Sequence, residues 1–184
     1  MFAPKSDTNT GSGSVVLGVD PGLTRCGYAA IEVGTTRVPT LLKLGVVSTD
    51  VSADLPDRLA TLQADFEILM DEVRPDAVAV EQVFFQNNVR TAMGVGQASG
   101  LVLAMAARRG IHVVQYTPSQ VKSAVTGSGT ANKLQVQQMV QRQLKLRSLP
   151  QPPDAADAAA LALCHLAVSP LHQSIARSTV GARS

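Results

Sequence analysis

The 184-residue sequence has few cysteines and no long apolar run, and each shortage excludes a class of protein. Cys26 and Cys164 lie far apart and lack the paired spacing of a zinc site, which indicates reduced thiols rather than a disulfide framework. No apolar segment is long enough to span a bilayer, and residues 1–13 lack the apolar stretch of a signal peptide. We therefore predict a cytoplasmic protein without a membrane anchor.

Acidic residues are missing from a long stretch of the chain. Residues 82–153 contain no Asp or Glu, although the whole chain has a formal net charge of only +2. The uneven distribution of charge, rather than its sum, favours a polyanionic partner such as nucleic acid. The basic residues of this stretch are Arg90, Arg108, Arg109, Lys122, Lys133, Arg142, Lys145 and Arg147.

The order of apolar segments predicts three antiparallel strands, followed by alternating helices and strands. The predicted strands are 15–19, 28–33, 41–48, 77–80 and 111–116. The predicted helices run from Asp54 to before Pro75, over about 90–109 and 118–125, from an N-cap at Thr130 to about Leu146, and over about 154–168. This order predicts an α/β fold, in which a mixed five-stranded sheet carries helices on both faces. Residues 1–13 should form a flexible leader and residues 170–184 a disordered tail, with one domain between them.

Four carboxylates are placed where they could meet. Asp20 and Glu81 each follow a buried strand, at the edge where open α/β sheets place their chemistry. Asp154 and Asp157 are three residues apart and share one face of a predicted helix. Four such groups would repel each other unless cations neutralised them. Two Mg²⁺ or Mn²⁺ ions about 3.5–4 Å apart would satisfy the cluster.

Each of these residues also has an ordinary structural interpretation. Asp154 and Asp157 could cap a helix, and Asp20 could serve the turn formed with Pro21 and Gly22. Isolated lysines are usually solvated surface charges. Phe84, which follows a strand end, could belong to the core or stack on an unpaired base.

Five motifs, in order and spacing, resemble the RuvC family of Holliday-junction resolvases over roughly Val15 to Ser169. That resemblance implies a ribonuclease-H-like fold, a homodimer, two Mg²⁺ ions per subunit with Mn²⁺ able to substitute, and paired nicks across four-way junction DNA. The motifs are 18–22 with Gly27-Tyr28, 79–84, 96–98, Val121-Lys122 and 154–158.

The resemblance also implies roles for individual residues. The family's catalytic metal ligands match Asp20, Glu81, Asp154 and Asp157. Its DNA-contacting lysines match Lys122 and Lys133, its junction-probing aromatic residue matches Phe84, and Arg90 is a further candidate for DNA contact. The branch-migration proteins RuvA and RuvB are implied partners. Two alternatives stay open at this point: a junction-binding scaffold without catalysis, and an ATP-handling protein of the actin and sugar-kinase type, for which the chain is too short to hold the second domain.

Overall fold

The computed structural model describes residues 13–82 and 89–181, with side chains described for 13–82 and 92–169. Its strands form one five-stranded sheet in the order β3-β2-β1-β4-β5, which confirms the predicted mixed sheet. The strands are β1 (Ser14–Asp20), β2 (Arg25–Val33), β3 (Pro39–Ser48), β4 (Ala77–Glu81) and β5 (His112–Tyr116). The helices of the described part are α1 (Leu55–Val73), α2 (Val89–Arg108), α3 (Pro118–Thr126), α4 (Lys133–Gln143) and α5 (Pro153–Gly181).

The direction of the strands brings two acidic residues to the same edge of the sheet. β1 pairs antiparallel with β2, and β2 pairs antiparallel with β3. β1 pairs parallel with β4, with Val19 opposite Val80, and β4 pairs parallel with β5. The next residue of β1 is Asp20 and the next of β4 is Glu81, so both leave the sheet at the carboxyl ends of neighbouring parallel strands.

Helices cover both faces of the sheet, as the sequence predicts, and each face has its own hydrophobic core. On one face, α3, α4 and α5 pack around residues such as Val16, Ile31 and Val140. On the other face, α1 and α2 enclose a second cluster that includes Leu17 and Phe66. Successive side chains of β1 point to opposite faces of the sheet, so Val16 belongs to one core and Leu17 to the other.

The boundaries of α4 and α5 differ from the predictions. Thr130 is not the N-cap of α4: Asn132 is, because its side chain accepts from the backbone N–H of Gln135 while the Gln135 side chain accepts from the backbone N–H of Asn132. α4 ends at Gln143 rather than near Leu146. The predicted end of the last helix near Val168 is also wrong, because α5 continues to Gly181.

In the described ranges 13–82 and 89–181, no helix combines the length and apolar character that crossing a membrane requires. The division of the chain into leader, domain and tail stays a prediction.

Candidate active site

Three elements position the four carboxylates that the sequence singles out. Asp20 ends β1, Glu81 ends β4, and Asp154 and Asp157 lie in the first two turns of α5. All four side chains are partly buried. The sheet edge and the start of α5 therefore enclose a group of acidic side chains that retains access to solvent.

The distance between α5 and the sheet is set by two glycines. A Cβ atom added to Gly18 would lie 2.0 Å from the backbone oxygen of Ala158, and one added to Gly27 would lie 2.1 Å from the backbone oxygen of Asp154. Gly27 is opposite Asp20 in the β1–β2 pair. Any side chain at these positions would push the helix, and with it Asp154, away from the sheet. A glycine inside a strand often marks such an approach, but sequence reasoning assigned these two no part in the site.

Burial and the neighbouring carboxylates together disfavour the ionised form of Asp20. Burial, together with the charge of Glu81, a hydrogen bond with the Glu81 carboxyl group and the charges of Asp157 and Asp154, raises the pKa of Asp20 from 3.8 to about 8. The raised pKa favours the protonated form of Asp20 in the protein without bound cations. Each of these causes penalises an added negative charge, which a bound cation would stabilise.

Two basic side chains form ion pairs with the carboxylates of α5. Arg25 Nε donates to Asp154 Oδ2 at 2.7 Å, and Lys133 Nζ donates to Asp157 Oδ2 at 2.6 Å. The hydrogen bond with Asp157 is the main cause that raises the pKa of Lys133. Burial lowers this pKa, and the charge of Asp157 raises it further. Neither aspartate accepts a hydrogen bond from a backbone N–H of α5 within the described part, which does not support helix capping. Sequence reasoning missed Arg25, which begins β2.

The donor set suits a hard divalent cation. All four side chains offer carboxylate oxygens, the ligands that Mg²⁺ prefers, and the charges of three of them contribute, after burial, to the raised pKa of the fourth, Asp20. Among the described residues, no three potential ligands already stand in a metal-binding arrangement. Arg25 and Lys133 engage Asp154 and Asp157 instead, so metal binding would require these cations to move or to share the carboxylates.

The structure describes the side chains of two of the four residues that are predicted to contact DNA. Lys122 and Lys133 line one cavity of about 260 Å³ together with Glu81 and Asp157, and its remaining wall is formed mainly by apolar side chains of α3, α4 and α5. Both lysines thus lie beside the carboxylates. Phe84 lies outside the described residues. Arg90 belongs to the first turn of α2, and its side chain is outside the described part.

Comparison with known sequences matches the chain to one family. The sequence model described as "Crossover junction endodeoxyribonuclease RuvC" matches residues 16–165, a range that includes all four carboxylates. A protein of that description from Rhodococcus opacus (strain B4) is 52% identical over 167 residues, which cover 91% of this chain and 88% of the relative. Another, from Parafrankia sp. (strain EAN1pec), is 55% identical over 151 residues, which cover 82% and 85%.

Solved structures agree with the sequence comparison. Thermus thermophilus RuvC, solved in complex with a Holliday junction substrate, is 37% identical with a TM-score of 0.82, and the match covers 86% of this chain and 96% of that one. The yeast mitochondrial Holliday junction resolvase Ydc2, at 15% identity and a TM-score of 0.61, supports the fold alone. These matches confirm the predicted ribonuclease-H-like fold. The chain belongs to the RuvC family of crossover junction endodeoxyribonucleases.

Proposed function

We propose that this protein resolves Holliday junctions by paired symmetric nicks, as a structure-selective endodeoxyribonuclease of DNA recombination and repair. The observation that carries the proposal is the meeting of Asp20, Glu81, Asp154 and Asp157 at one sheet edge, within the segment that matches the RuvC family. The basic residues beyond Glu81 support a DNA substrate, because phosphate contacts provide most of the affinity of such complexes. We also keep the cytoplasmic location that the sequence predicts as a proposal.

We assign the four carboxylates as ligands of two Mg²⁺ ions, for which Mn²⁺ would substitute. The bound ions would activate water for attack on the phosphodiester and neutralise the charge that develops on the phosphate and leaving oxygen. Asp20 would lose its proton when the ions bind, because their charge outweighs the repulsion from the other carboxylates. Glu81, Asp154 and Asp157 would hold the ions against the end of the sheet.

Lys122 and Lys133 would hold the DNA strand on the Asp157 side of the site. Lys133 already reaches Asp157, at 2.6 Å, and its flexible side chain would turn to a phosphate oxygen once a cation neutralises that carboxylate. We keep Phe84 and Arg90 as proposed junction contacts, since both are close in sequence to Glu81.

We further propose that the protein acts as a homodimer, because a two-fold axis would present two active sites to the two strands that are cut. The exposed side of α2 supports this arrangement. A Cβ atom added to Gly96 or Gly100 would have open space around it. A second copy of α2 could therefore approach closely. RuvA and RuvB remain proposed partners on the grounds of family membership.

The test is cleavage of a synthetic four-way junction beside a linear duplex of matched sequence, with Mg²⁺ or with EDTA. The variants are Asp154→Asn and, as a matched control, Asp65→Asn, which changes an exposed acid on α1. We expect symmetric nicks in the junction only, dependent on Mg²⁺, lost in Asp154→Asn and kept in Asp65→Asn. Binding without cleavage under every divalent ion would instead indicate a scaffold, and equal cutting of the duplex would contradict selectivity for junctions.

A further inference from the structure

Arg58, in the first turn of α1, is held in place by neutral groups. Its Nε donates to Thr49 Oγ1 at 2.9 Å, and its Nη2 donates to Thr24 Oγ1 at 2.7 Å. Thr49 Oγ1 in turn donates to the backbone oxygen of Leu23 at 2.6 Å. Three parts of the chain, namely α1, the end of β3 and the turn between β1 and β2, thus fix the orientation of one guanidinium group.

This guanidinium group has no carboxylate partner among the described side chains. The ion pairs found there join Arg25 to Asp154, Lys43 to Glu72, Arg109 to Asp71 and Lys133 to Asp157. Asp50 is close enough for Arg58 to contribute to its lowered pKa, but hydrogen bonds from the backbone N–H and hydroxyl of Ser52 contribute more. Arg58 therefore keeps its full positive charge and free N–H donors.

Arg58 lines an open cleft of about 770 Å³, and Arg25 lines the same cleft. Arg25 donates to Asp154 through Nε, so its terminal nitrogens remain as donors. Arg25 therefore connects the cleft to a carboxylate of the candidate active site, and Arg58 adds a second arginine to the cleft wall. Asp54 also lines it, at the N-cap of α1, so the cationic part of the wall is the part between Arg25 and Arg58.

We propose that this Arg58 cleft binds the phosphodiester backbone of the DNA strand on the Asp154 side of the active site. The planar guanidinium group matches two phosphate oxygens at once, and an orientation fixed in advance reduces the entropy cost of binding. Lys122 and Lys133 line a different cavity, which contains Glu81 and Asp157. The carboxylates would then lie between two cationic walls, and a strand held by both would cross the site. The inference rests on the proposed function, because it takes DNA as the substrate.

The first test measures binding of a labelled four-way junction in EDTA by fluorescence anisotropy, at several salt concentrations. Arg58→Gln should weaken binding about 10-fold, the usual effect of removing one charge-assisted hydrogen bond. It should also lower the slope of log affinity against log salt by about 0.9 for each phosphate that Arg58 neutralises in the wild-type complex. The matched control is Arg74→Gln, which changes an exposed arginine at the C-cap of α1, about 24 Å along the helix from Arg58. The control should leave both quantities unchanged.

A second pair of variants avoids any dependence on the hydrogen bonds that Arg58 makes within the fold. Val51 lines the cleft and is 70% exposed, whereas Ile68 is 66% exposed and lines a different cavity, between α1 and β3. Val51→Glu and Ile68→Glu make the same change of charge at similar exposure. Val51→Glu should weaken junction binding several-fold through repulsion of the phosphates, and Ile68→Glu should have little effect.

Equal effects of Val51→Glu and Ile68→Glu, together with an unchanged salt slope in Arg58→Gln, would overturn the assignment of the cleft. Because the binding assay contains EDTA, it does not depend on catalysis. A wild-type protein that binds through the cleft but never cuts would contradict the proposed nuclease and leave the cleft supported. A wild-type protein that cuts junctions normally, with binding indifferent to Arg58 and Val51, would contradict the cleft alone. Absence of DNA binding by the wild-type protein would overturn both.

Discussion

Replacing Asp20 by Asn should change how the stability of the metal-free protein depends on pH. In the folded protein the pKa of Asp20 is about 8, whereas the reference value for an unperturbed side chain is 3.8. Between these values the folded state holds a proton that the unfolded state has released. Stability from this group is therefore fully present below about pH 4 and is lost as the pH rises towards 8.

The size of the effect follows from the single proton involved. One proton changes the free energy of unfolding by at most about 1.4 kcal/mol for each pH unit. From pH 5 to pH 7, the wild-type protein should lose up to about 3 kcal/mol from this group relative to Asp20→Asn. For a domain of this size, that difference corresponds to a shift of roughly 5–10 °C in Tm.

The assay is thermal unfolding by circular dichroism in EDTA, at half-unit steps from pH 5 to pH 8. Titrating groups outside the carboxylate group contribute equally to both proteins, so the difference between the two curves reports Asp20 and the carboxylates that interact with it. Asp65→Asn, which removes an exposed acid from α1, controls for the change in net charge. Parallel curves for the wild-type protein and Asp20→Asn would refute the reasoning, because Asp20 would then ionise alike in the folded and unfolded states.

Three further predictions follow from the site. Mg²⁺ at pH 7 should raise the Tm of the wild-type protein. Calorimetry of Mg²⁺ binding in buffers of different ionisation enthalpy should show the release of nearly one proton from the wild-type protein and of none from Asp20→Asn. A metal response without proton release would count against a protonated Asp20. Gly27→Ala should lower the free energy of urea unfolding by about 3 kcal/mol or more and abolish nicking, because its Cβ would lie 2.1 Å from a backbone oxygen. Gly34→Ala, with open space around the added Cβ, is its control, and equal stability of the two would disprove the close approach. Junction affinity should fall steeply between 50 and 200 mM salt, on the order of 10³-fold if six or more phosphates are contacted, and a flat titration would exclude binding through phosphates.

Much of the sheet edge could be predicted from local sequence. Short apolar runs that end in Asp20 and Glu81 indicate buried strands with an acid at the carboxyl end, the edge where open α/β sheets place their chemistry. The register confirms this placement, with Val19 opposite Val80. These inferences succeed because they depend on the chain within a few residues and on general rules of strand connection.

Other features depend on contacts between distant segments, which a single sequence does not encode locally. The ion pair of Arg25 with Asp154 joins residues separated by 129 positions, and the hydrogen bonds of Arg58 join α1 to two separate loops. The start of α4 was missed for a different reason. Thr130 and Asn132 are both good capping residues, and only the reciprocal contact with Gln135 distinguishes them. The end of α5 was also missed, since Pro170 marks a common stop for helices but not an obligatory one.

The contact of α5 with Gly18 and Gly27 has a consequence for how the protein tolerates mutation. Because the contact is between backbone atoms, no change of rotamer can absorb a displacement of the helix. The side of α5 nearest the sheet carries fully buried alanines, including Ala155, Ala158 and Ala162. A larger residue at any of these positions would move the helix as a rigid rod, and Asp154 and Asp157 would move with it. Larger residues at these alanine positions should therefore impair cleavage while the protein still folds. Substitutions along this side of α5 would then yield variants that are folded but inactive.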